Sequence, residues 1–152
     1  MRNLALSLLV LLAAVVFTVR GTADEPSADH GHHAHAFEHC AKACEECQRA
    51  CSSCATHCAH LLAQGKKEHH TTLQTCLDCA DHCSTAARIT ARQGVFSDLI
   101  CNACAEACSR CGKECAKQED EHMKKCAEEC RKCEKACREM LKHLEKGSPI
   151  SK

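Results

Sequence analysis

Residues 40–58 have the sequence CAKACEECQRACSSCATHC, and this stretch decides how the chain folds. Its cysteines follow one another at alternating steps of four and three residues: Cys40, Cys44, Cys47, Cys51, Cys54 and Cys58. On an α-helix this alternation puts every thiol on one stripe, as at the a and d positions of a heptad. The intervening Ala, Glu, Gln and Arg residues are good helix formers for the outer face. The stretch therefore predicts an amphipathic helix whose buried face is made of cysteine.

The same alternation recurs in three later segments. The remaining cysteines of the 18 in the chain are Cys76, Cys79, Cys83, Cys101, Cys104, Cys108, Cys111, Cys115, Cys126, Cys130, Cys133 and Cys137. Together the segments predict helices at about 37–64, 72–93, 98–118 and 121–146. Short connections force neighbouring helices to be antiparallel. We therefore predict an all-α, up-down-up-down four-helix bundle over residues 37–147 with a cysteine-lined core, followed by a C-terminal tail at 148–152.

Several residues mark the expected helix ends. Gly65 and Gly94 are placed to end the first and second helices. Thr71 begins a capping-box pattern for the second helix, Ser97 is the expected N-cap of the third, and Asp120 that of the fourth. These assignments set the loops at the two ends of the bundle.

Residues 1–23 are predicted to be a signal peptide outside the fold. Arg2 supplies a positive charge, residues 4–19 form an apolar run, and Gly21-Thr22-Ala23 offers small residues for cleavage. The run is shorter than the roughly 20 residues of a membrane span, although an uncleaved anchor is the alternative. There is no twin arginine, so we expect export by the general secretory route to the periplasm or the exterior, with no membrane attachment after cleavage.

Residues 24–36 (DEPSADHGHHAHA) are predicted to form a disordered, histidine-rich tail. Its histidines, His30, His32, His33 and His35, could gather Cu(II) or Zn²⁺, with solvent-exposed disorder as the alternative. The chain has 20 Lys and Arg against 20 Asp and Glu. This balance offers no electrostatic case for nucleic acid.

Four interpretations compete for a core lined with thiols. Cysteine can serve as a small buried hydrophobe, but alanine would do so without the redox liability. A disulfide-stapled helical protein is natural for an exported chain, yet thiols three or four residues apart on a helix have Cβ atoms about 5–6 Å apart, too far for a bridge. Zinc or iron–sulfur sites also use C-x-x-C pairs, and zinc buffering or general soft-metal detoxification stays open as the alternative function.

Charge favours the fourth interpretation, Cu(I). A Zn²⁺ ion held by four thiolates keeps two negative charges, and several such sites would be unfavourable to bury in one narrow bundle. Thiolate selects soft ions, and one Cu⁺ for each S⁻ is neutral. We therefore expect the 18 cysteines to be ligands for multiple Cu(I) ions.

These motifs resemble the bacterial copper storage proteins. The resemblance rests on CAKACEECQRACSSCATHC, CLDCADHC, CNACAEACSRCGKEC and CAEECRKCEKAC and covers about residues 37–146. It implies a bundle that is formed before metal binds, many Cu(I) ions along its core, and self-association into a homo-oligomer. It also implies copper donor or acceptor proteins as partners. The absence of a twin-arginine signal departs from some exported members.

The two ends of the predicted bundle differ in chemistry. One end collects Phe37, Ile89, Leu99, Ile100, Met140, Leu141 and Leu144, an apolar plug. The other carries imidazole and thioether groups, which are ligands for copper. We predict this second end as the mouth through which metal passes, with His57, His60, His122 and Met123 as the metal-entry residues. Leu61, His69 and His70 are expected at the same end. His143 receives no role.

No residue pattern supports catalysis. The chain lacks a glycine-rich phosphate loop and any evident grouping of histidine, carboxylate and nucleophile. A thiol oxidoreductase would need one exposed C-x-x-C pair rather than many buried thiols. We expect a protein that is not an enzyme.

Overall fold

The computed structural model describes residues 28–147, with side chains from His33 to Lys146. It contains four α-helices in chain order, α1 (Ala28–Ala63), α2 (His70–Ala91), α3 (Ser97–Cys115) and α4 (Glu121–Gly147). A 3₁₀ turn, Lys67–His69, leads into α2. The predicted four-helix bundle is confirmed. The predicted signal peptide at 1–23 and tail at 148–152 lie outside the described residues.

The four helices stand at the corners of a square. Each packs against the two helices next to it in the cycle α1, α2, α3, α4, and the backbones of the diagonal pairs stay apart. Thiol contacts establish the antiparallel arrangement. Cys40 near the start of α1 contacts Cys137 near the end of α4, and Cys51 further along α1 contacts Cys126 earlier in α4. The thiols therefore meet along the axis of the bundle.

The core is built from small side chains. Besides the cysteines it contains alanines such as Ala86 and Ala105, while Phe37, Met123 and Met140 are its only large members among the described residues. Small side chains let the helices approach closely: a Cβ on Gly112 of α3 would lie 3.1 Å from Cys130 Cβ of α4. Leu99, which we predicted in the apolar plug, is instead 65% exposed.

Helices α1 and α2 end in the same motif with different residues. Lys66 N–H donates to Leu61 C=O (3.1 Å) and Gly65 N–H to Leu62 C=O (2.9 Å), with Gly65 left-handed at φ 86°. This is the Schellman pattern that glycine favours. At the end of α2 the left-handed residue is Gln93 (φ 52°), not the expected Gly94.

The predicted starts of α2, α3 and α4 lie within two residues of the observed ones, but only one of the three predicted helix-capping residues is confirmed. Asp120 Oδ1 accepts a hydrogen bond from His122 N–H (2.8 Å), so Asp120 is the N-cap of α4 as predicted. The Thr71 prediction is wrong, because the 3₁₀ turn lets α2 begin at His70 without a side-chain cap. Ser97 is the first residue of α3 rather than its N-cap, and its hydroxyl donates back to Gly94 C=O (2.6 Å).

The predicted disordered tail needs correction. Helix α1 begins at Ala28, so residues 28–36 are helical, and residues 24–27 lie outside the described residues. The His33 ring packs on Phe37, one turn later in α1, and on His143 of α4, and sequence periodicity does not reveal the second contact. None of the four described helices combines the length and the apolar character that crossing a membrane requires.

Candidate metal centre

All 18 cysteines are buried free thiols. Each is at most 1% exposed, because the alternation of three and four residues keeps the thiol stripe of every helix on the bundle axis. This is the placement that the sequence predicted. The fold therefore brings all 18 cysteines together along the bundle axis, in an arrangement that we call the thiol column.

The thiols form clusters of four. Within each cluster the sulfur atoms all lie within 4.8 Å of one another. From the α4 C-terminal end of the column to its other end, five clusters are Cys44–Cys104–Cys133–Cys137, Cys47–Cys83–Cys108–Cys133, Cys47–Cys51–Cys79–Cys130, Cys51–Cys111–Cys126–Cys130 and Cys54–Cys76–Cys115–Cys126. Most clusters take thiols from three or four helices, so binding at any one of them requires the bundle to be assembled.

Neighbouring clusters share thiols. Cys133 belongs to the first and second clusters, Cys47 to the second and third, Cys51 and Cys130 to the third and fourth, and Cys126 to the fourth and fifth. Beyond the first cluster, Cys40 continues the column through contacts with Cys101 (3.7 Å) and Cys137 (3.8 Å). The column is therefore continuous rather than a set of separate sites.

Sulfur–sulfur distances suit metal ligation. Contacts range from 3.5 Å between Cys83 and Cys108 to 4.0 Å between Cys104 and Cys108. Four sulfurs around an ion with bonds of 2.3 Å would be about 3.8 Å apart, so little rearrangement is needed. One thiol often contacts several others: Cys108 contacts Cys47, Cys79, Cys83 and Cys104. This web of contacts differs from the one-to-one pairing of a disulfide framework.

Hydrogen bonds between thiols separate sulfurs that ionise readily from sulfurs that keep their proton. The Cys108 thiol lowers the pKa of Cys79 to about 7. The Cys104 thiol, by contrast, raises the pKa of Cys44 above its usual range. Burial, with the nearby Cys54 thiol, raises the pKa of Cys58 to about 12. A cation entering the column must therefore displace protons from most thiols.

Among the residues that the structure describes, no Lys or Arg side chain is buried beside the thiolates. The buried polar side chains of the described part of the chain are His69, Thr72, Thr90 and Ser97, and no Lys or Arg is among them. Exposed Lys and Arg side chains form ion pairs on the outer faces instead, as Lys132 does with Glu128 (2.9 Å). An ionised column would be unstable in this interior unless cations bound within it.

Three of the four predicted mouth residues lie near the end of the column that contains Met123, which we call the Met123 end. His57 Nε2 lies 3.1 Å from Asp120 Oδ2, and the His57 ring stacks on the His122 ring with centroids 4.5 Å apart. His122 also lines a cleft of about 680 Å³ between α1 and α4 together with Cys54 and Cys126. Met123 itself is fully buried, so it closes the column rather than facing solvent.

His60, the fourth predicted mouth residue, is exposed on the last turn of α1. Two other buried residues lie near this end: His69, which we predicted to lie here, and Thr72, which we did not. His69 and Thr72 precede Cys76 at steps of three and four, so they continue the thiol stripe of α2. Both are buried, and His69 Nδ1 and Thr72 Oγ1 have no hydrogen-bond partner. The steps of three and four residues that lead to Cys76 were the indication in the sequence that Thr72 belongs to the buried stripe.

The comparison with known proteins bears on this column. A family model described as copper storage protein matches residues 33–142, which is most of the chain. The chain belongs to the copper storage protein family. No curated protein sequence matches it. The matched region of this family member begins at His33 and contains all of the thiols.

Solved structures of the family resemble the chain along almost their whole length. A cytosolic copper storage protein from Streptomyces lividans, in a structure described as holding five coppers, is 34% identical with a TM-score of 0.68. The alignment covers 74% of this chain and 97% of that one. The apo form of Csp3 from Bacillus subtilis is 34% identical, covers 68% of this chain and 97% of its own, and gives a TM-score of 0.60. Cu(I)-bound BsCsp3 is 33% identical, with 70% and 98% covered and a TM-score of 0.65.

Proposed function

We propose that this chain stores Cu(I) on the thiolates of its 18 cysteines inside the preformed bundle. The observation that carries the proposal is the sharing of thiols between successive clusters, since a bridging thiolate can serve two ions at once. Sharing lets each Cu(I) have at least two sulfurs even when ions and thiols are equal in number. The relatives described as Cu(I)-bound or as holding several coppers support the same assignment.

The absence of buried Lys and Arg among the described residues favours a monovalent ion. One Cu⁺ per thiolate leaves the column neutral, whereas each four-thiolate Zn²⁺ site keeps two negative charges with no cation nearby to offset them. Zinc buffering is therefore the weaker alternative. A disulfide-stapled structural role is weaker still, because the thiols contact several partners each.

Copper passes, on this proposal, through the Met123 end. His57, His60 and His122 supply imidazoles there, and the cleft that His122 lines also reaches Cys54 and Cys126 of the outermost cluster. The partners of the protein would be copper donor or acceptor proteins that deliver to this end. Sequestration in a closed column, rather than catalysis, fits thiols that solvent cannot reach.

Export is supported by residues 1–23, whose charge, apolar run and small residues are typical of a general secretory signal. The Streptomyces lividans relative is described as cytosolic, so export would distinguish this chain from it. N-terminal sequencing of the protein from periplasmic and cytosolic fractions tests the proposal. A mature form beginning near Asp24 outside the cytosol is expected, and full-length protein confined to the cytosol would contradict it.

Self-association into a homo-oligomer is supported by three exposed apolar side chains at the α2–α3 connection. Val95 is 87%, Phe96 64% and Leu99 65% exposed. We propose that a second copy of the chain covers them. Light scattering should show an oligomer that dissociates when Val95 and Phe96 are both changed to Ser, and a wild-type monomer would contradict the proposal.

Metal loading of the reduced protein tests the storage function. In an anaerobic titration against a competing chelator, Cu(I) should bind at about one ion per thiol, on the order of 15–20 per chain, with release of protons. Zn²⁺ should stop at about four, because each tetrahedral site uses four thiolates. Circular dichroism of the metal-free protein should already be strongly helical, since good helix formers fill the outer faces.

Two outcomes would contradict storage. One is a column that fills with Zn²⁺ and resists displacement by Cu(I). The other is a metal-free chain that becomes helical only when metal is added, as expected of a metallothionein-like sink. Changing the exposed Ser53 to Ala is the matched control for changing Cys54 to Ala, because only the second removes a thiol and should lower the Cu(I) capacity.

A further inference from the structure

Two histidines from opposite ends of the sequence face each other at the end of the bundle that contains Met140, the Met140 end. His33 Nδ1 lies 2.5 Å from His143 Nε2, and the ring centroids are 4.5 Å apart. His33 is near the start of α1 and His143 near the end of α4, and both are half-buried. The pair is therefore formed by the fold rather than by neighbours in sequence.

Phe37 separates this pair from the thiols. The His33 ring meets the Phe37 ring edge-on with centroids 5.2 Å apart, and Phe37 itself packs in the core. His33, Phe37 and Cys40 follow one another at steps of four and three, so His33 continues the thiol stripe one turn beyond the aromatic ring. The imidazoles thus form a nitrogen site that is distinct from the sulfur column.

We propose that His33 and His143 bind one divalent cation of borderline softness, Cu²⁺ or Zn²⁺. Neutral imidazole nitrogen is the common ligand for both ions. Two nitrogens on a tetrahedral ion with bonds of 2.0–2.1 Å are about 3.3 Å apart, so small side-chain rotations would open the observed pair to receive one.

Oxygen ligands are available beside the pair. His33 lines a cleft of about 620 Å³ together with Asp98 and Glu145, and Glu145 is two residues from His143. Carboxylates complete many sites of this kind, and solvent in the cleft can fill any remaining position. Thiolates would favour Cu(I), but Phe37 lines the cleft and no cysteine is among its lining residues in the described part of the chain.

Such an ion would fasten the first turns of α1 to α4. Residues 28–36 extend α1 beyond the thiol-bearing segment, where Ala36 packs against the core and the His33 ring contacts His143 of α4. The ion would bind only when residues 28–36 are helical and His33 lies against His143. Binding should therefore stabilise the helical state of residues 28–36. The proposal depends on the histidine pair and not on the copper content of the column.

Zinc binding to the copper-filled chain tests the site. The chain is first saturated with Cu(I) and its copper content measured, so that only nitrogen and oxygen ligands remain for added Zn²⁺. Calorimetry should then show about one Zn²⁺ per chain, and His33→Ala or His143→Ala should each weaken binding by about tenfold or more. His35→Ala is the matched control, since His35 is exposed on the same helix and should change binding less than about twofold.

A second readout follows the residues themselves. Zn²⁺ should shift the imidazole nitrogen resonances of His33 and His143 and slow amide exchange in residues 28–36, and neither effect should occur in the His143→Ala variant. If His143→Ala leaves Zn²⁺ affinity unchanged, the remaining histidines of the segment bind alone and the proposal is wrong. The absence of one-to-one binding would also overturn it. A chain that does not fill with Cu(I) fails the storage proposal instead, and the resonance shifts still decide the fate of the pair.

Discussion

One buried methionine and one buried threonine close each end of the thiol column. Met140 and Thr90 do so at one end, where the Thr90 hydroxyl donates to Ala86 C=O at 2.8 Å. Met123 and Thr72 do so at the other, where the Thr72 hydroxyl is fully buried without a hydrogen-bond partner.

A buried polar group without a partner is unfavourable, and it persists where it serves something other than stability. His69, also at the Met123 end, has a buried and unpartnered Nδ1. Both ends are therefore closed by a buried methionine, but they differ in whether their buried polar groups have hydrogen-bond partners. At the Met140 end the Thr90 hydroxyl is hydrogen-bonded, whereas at the Met123 end the Thr72 hydroxyl and His69 Nδ1 have no partner.

The largest expected effect concerns the two methionines. Met140→Ala should lower the free energy of unfolding of the metal-free protein by about 2–5 kcal/mol, because a fully buried side chain is truncated. Met123→Ala should lower it by a similar amount, since it is equally buried. Chemical denaturation measures both. A Met123 variant with wild-type stability would mean that this methionine does not close the column.

The next largest effect is on the rate at which Cu(I) is loaded through the Met123 end. His57→Ala combined with His122→Ala should slow Cu(I) loading by about tenfold, or about 1.4 kcal/mol in barrier, while capacity stays the same. The reason is that the exposed His122 lines the cleft that reaches Cys54 and Cys126, and the His57 ring stacks on the His122 ring. Stopped-flow mixing with a Cu(I) donor measures the rate.

Histidines away from the Met123 end provide the control for that experiment. His39 and His82 are exposed on α1 and α2, and changing both to Ala should leave the loading rate unchanged. Loading that slows equally in both double variants, or that slows only in the control, would place the mouth elsewhere.

A smaller effect comes from the two buried threonines, whose replacement should change the free energy of unfolding in opposite directions at the two ends. Thr72→Val removes a hydroxyl that has no partner and should raise stability by about 1 kcal/mol. Thr90→Val removes a hydroxyl that donates to Ala86 C=O and should lower stability by about 1 kcal/mol. Thermal or urea denaturation of the two isosteric variants measures the contrast. Equal changes in both would show that the Thr72 hydroxyl is satisfied in solution.

The smallest effect lies in the loop at the Met140 end. Gln93→Gly should stabilise the protein by roughly 0.5 kcal/mol. Glycine adopts the left-handed conformation found at Gln93 without steric strain, and this gain is partly offset because glycine loses more backbone freedom on folding. Gly65→Ala is the matched change at the Met123 end and should destabilise by roughly 1 kcal/mol. A loss of stability in Gln93→Gly would contradict this account.

The bundle and its thiol column were predictable because they follow from one short-range rule. Steps of three and four residues fix which face of a helix is buried, and the cysteines are themselves the apolar face, so Cys40 through Cys137 could be placed without long-range information. Asp120 was predictable for the same reason, because an N-cap acts on its own helix.

The errors arose where long-range contacts decide the local structure. Within residues 28–36, His33 contacts His143, more than a hundred positions away, and no local pattern contains that contact. Gly94 was expected to end α2 because glycine is favoured at helix ends, but the left-handed residue is Gln93, which precedes it. Thr72 could have been found, since together with His69 it continues the stripe of α2 through the 3₁₀ turn.

Sharing of thiols between neighbouring clusters has a consequence for the order in which ions move. A column with one working mouth is a single file, and an ion bound near Cys40 can leave only after those bound nearer Cys58 have shifted or departed. Copper stored first should therefore be withdrawn last. Loading with ⁶³Cu followed by ⁶⁵Cu, and then partial removal by a chelator, should release the heavier isotope first and leave the older ions as a reserve that turns over slowly.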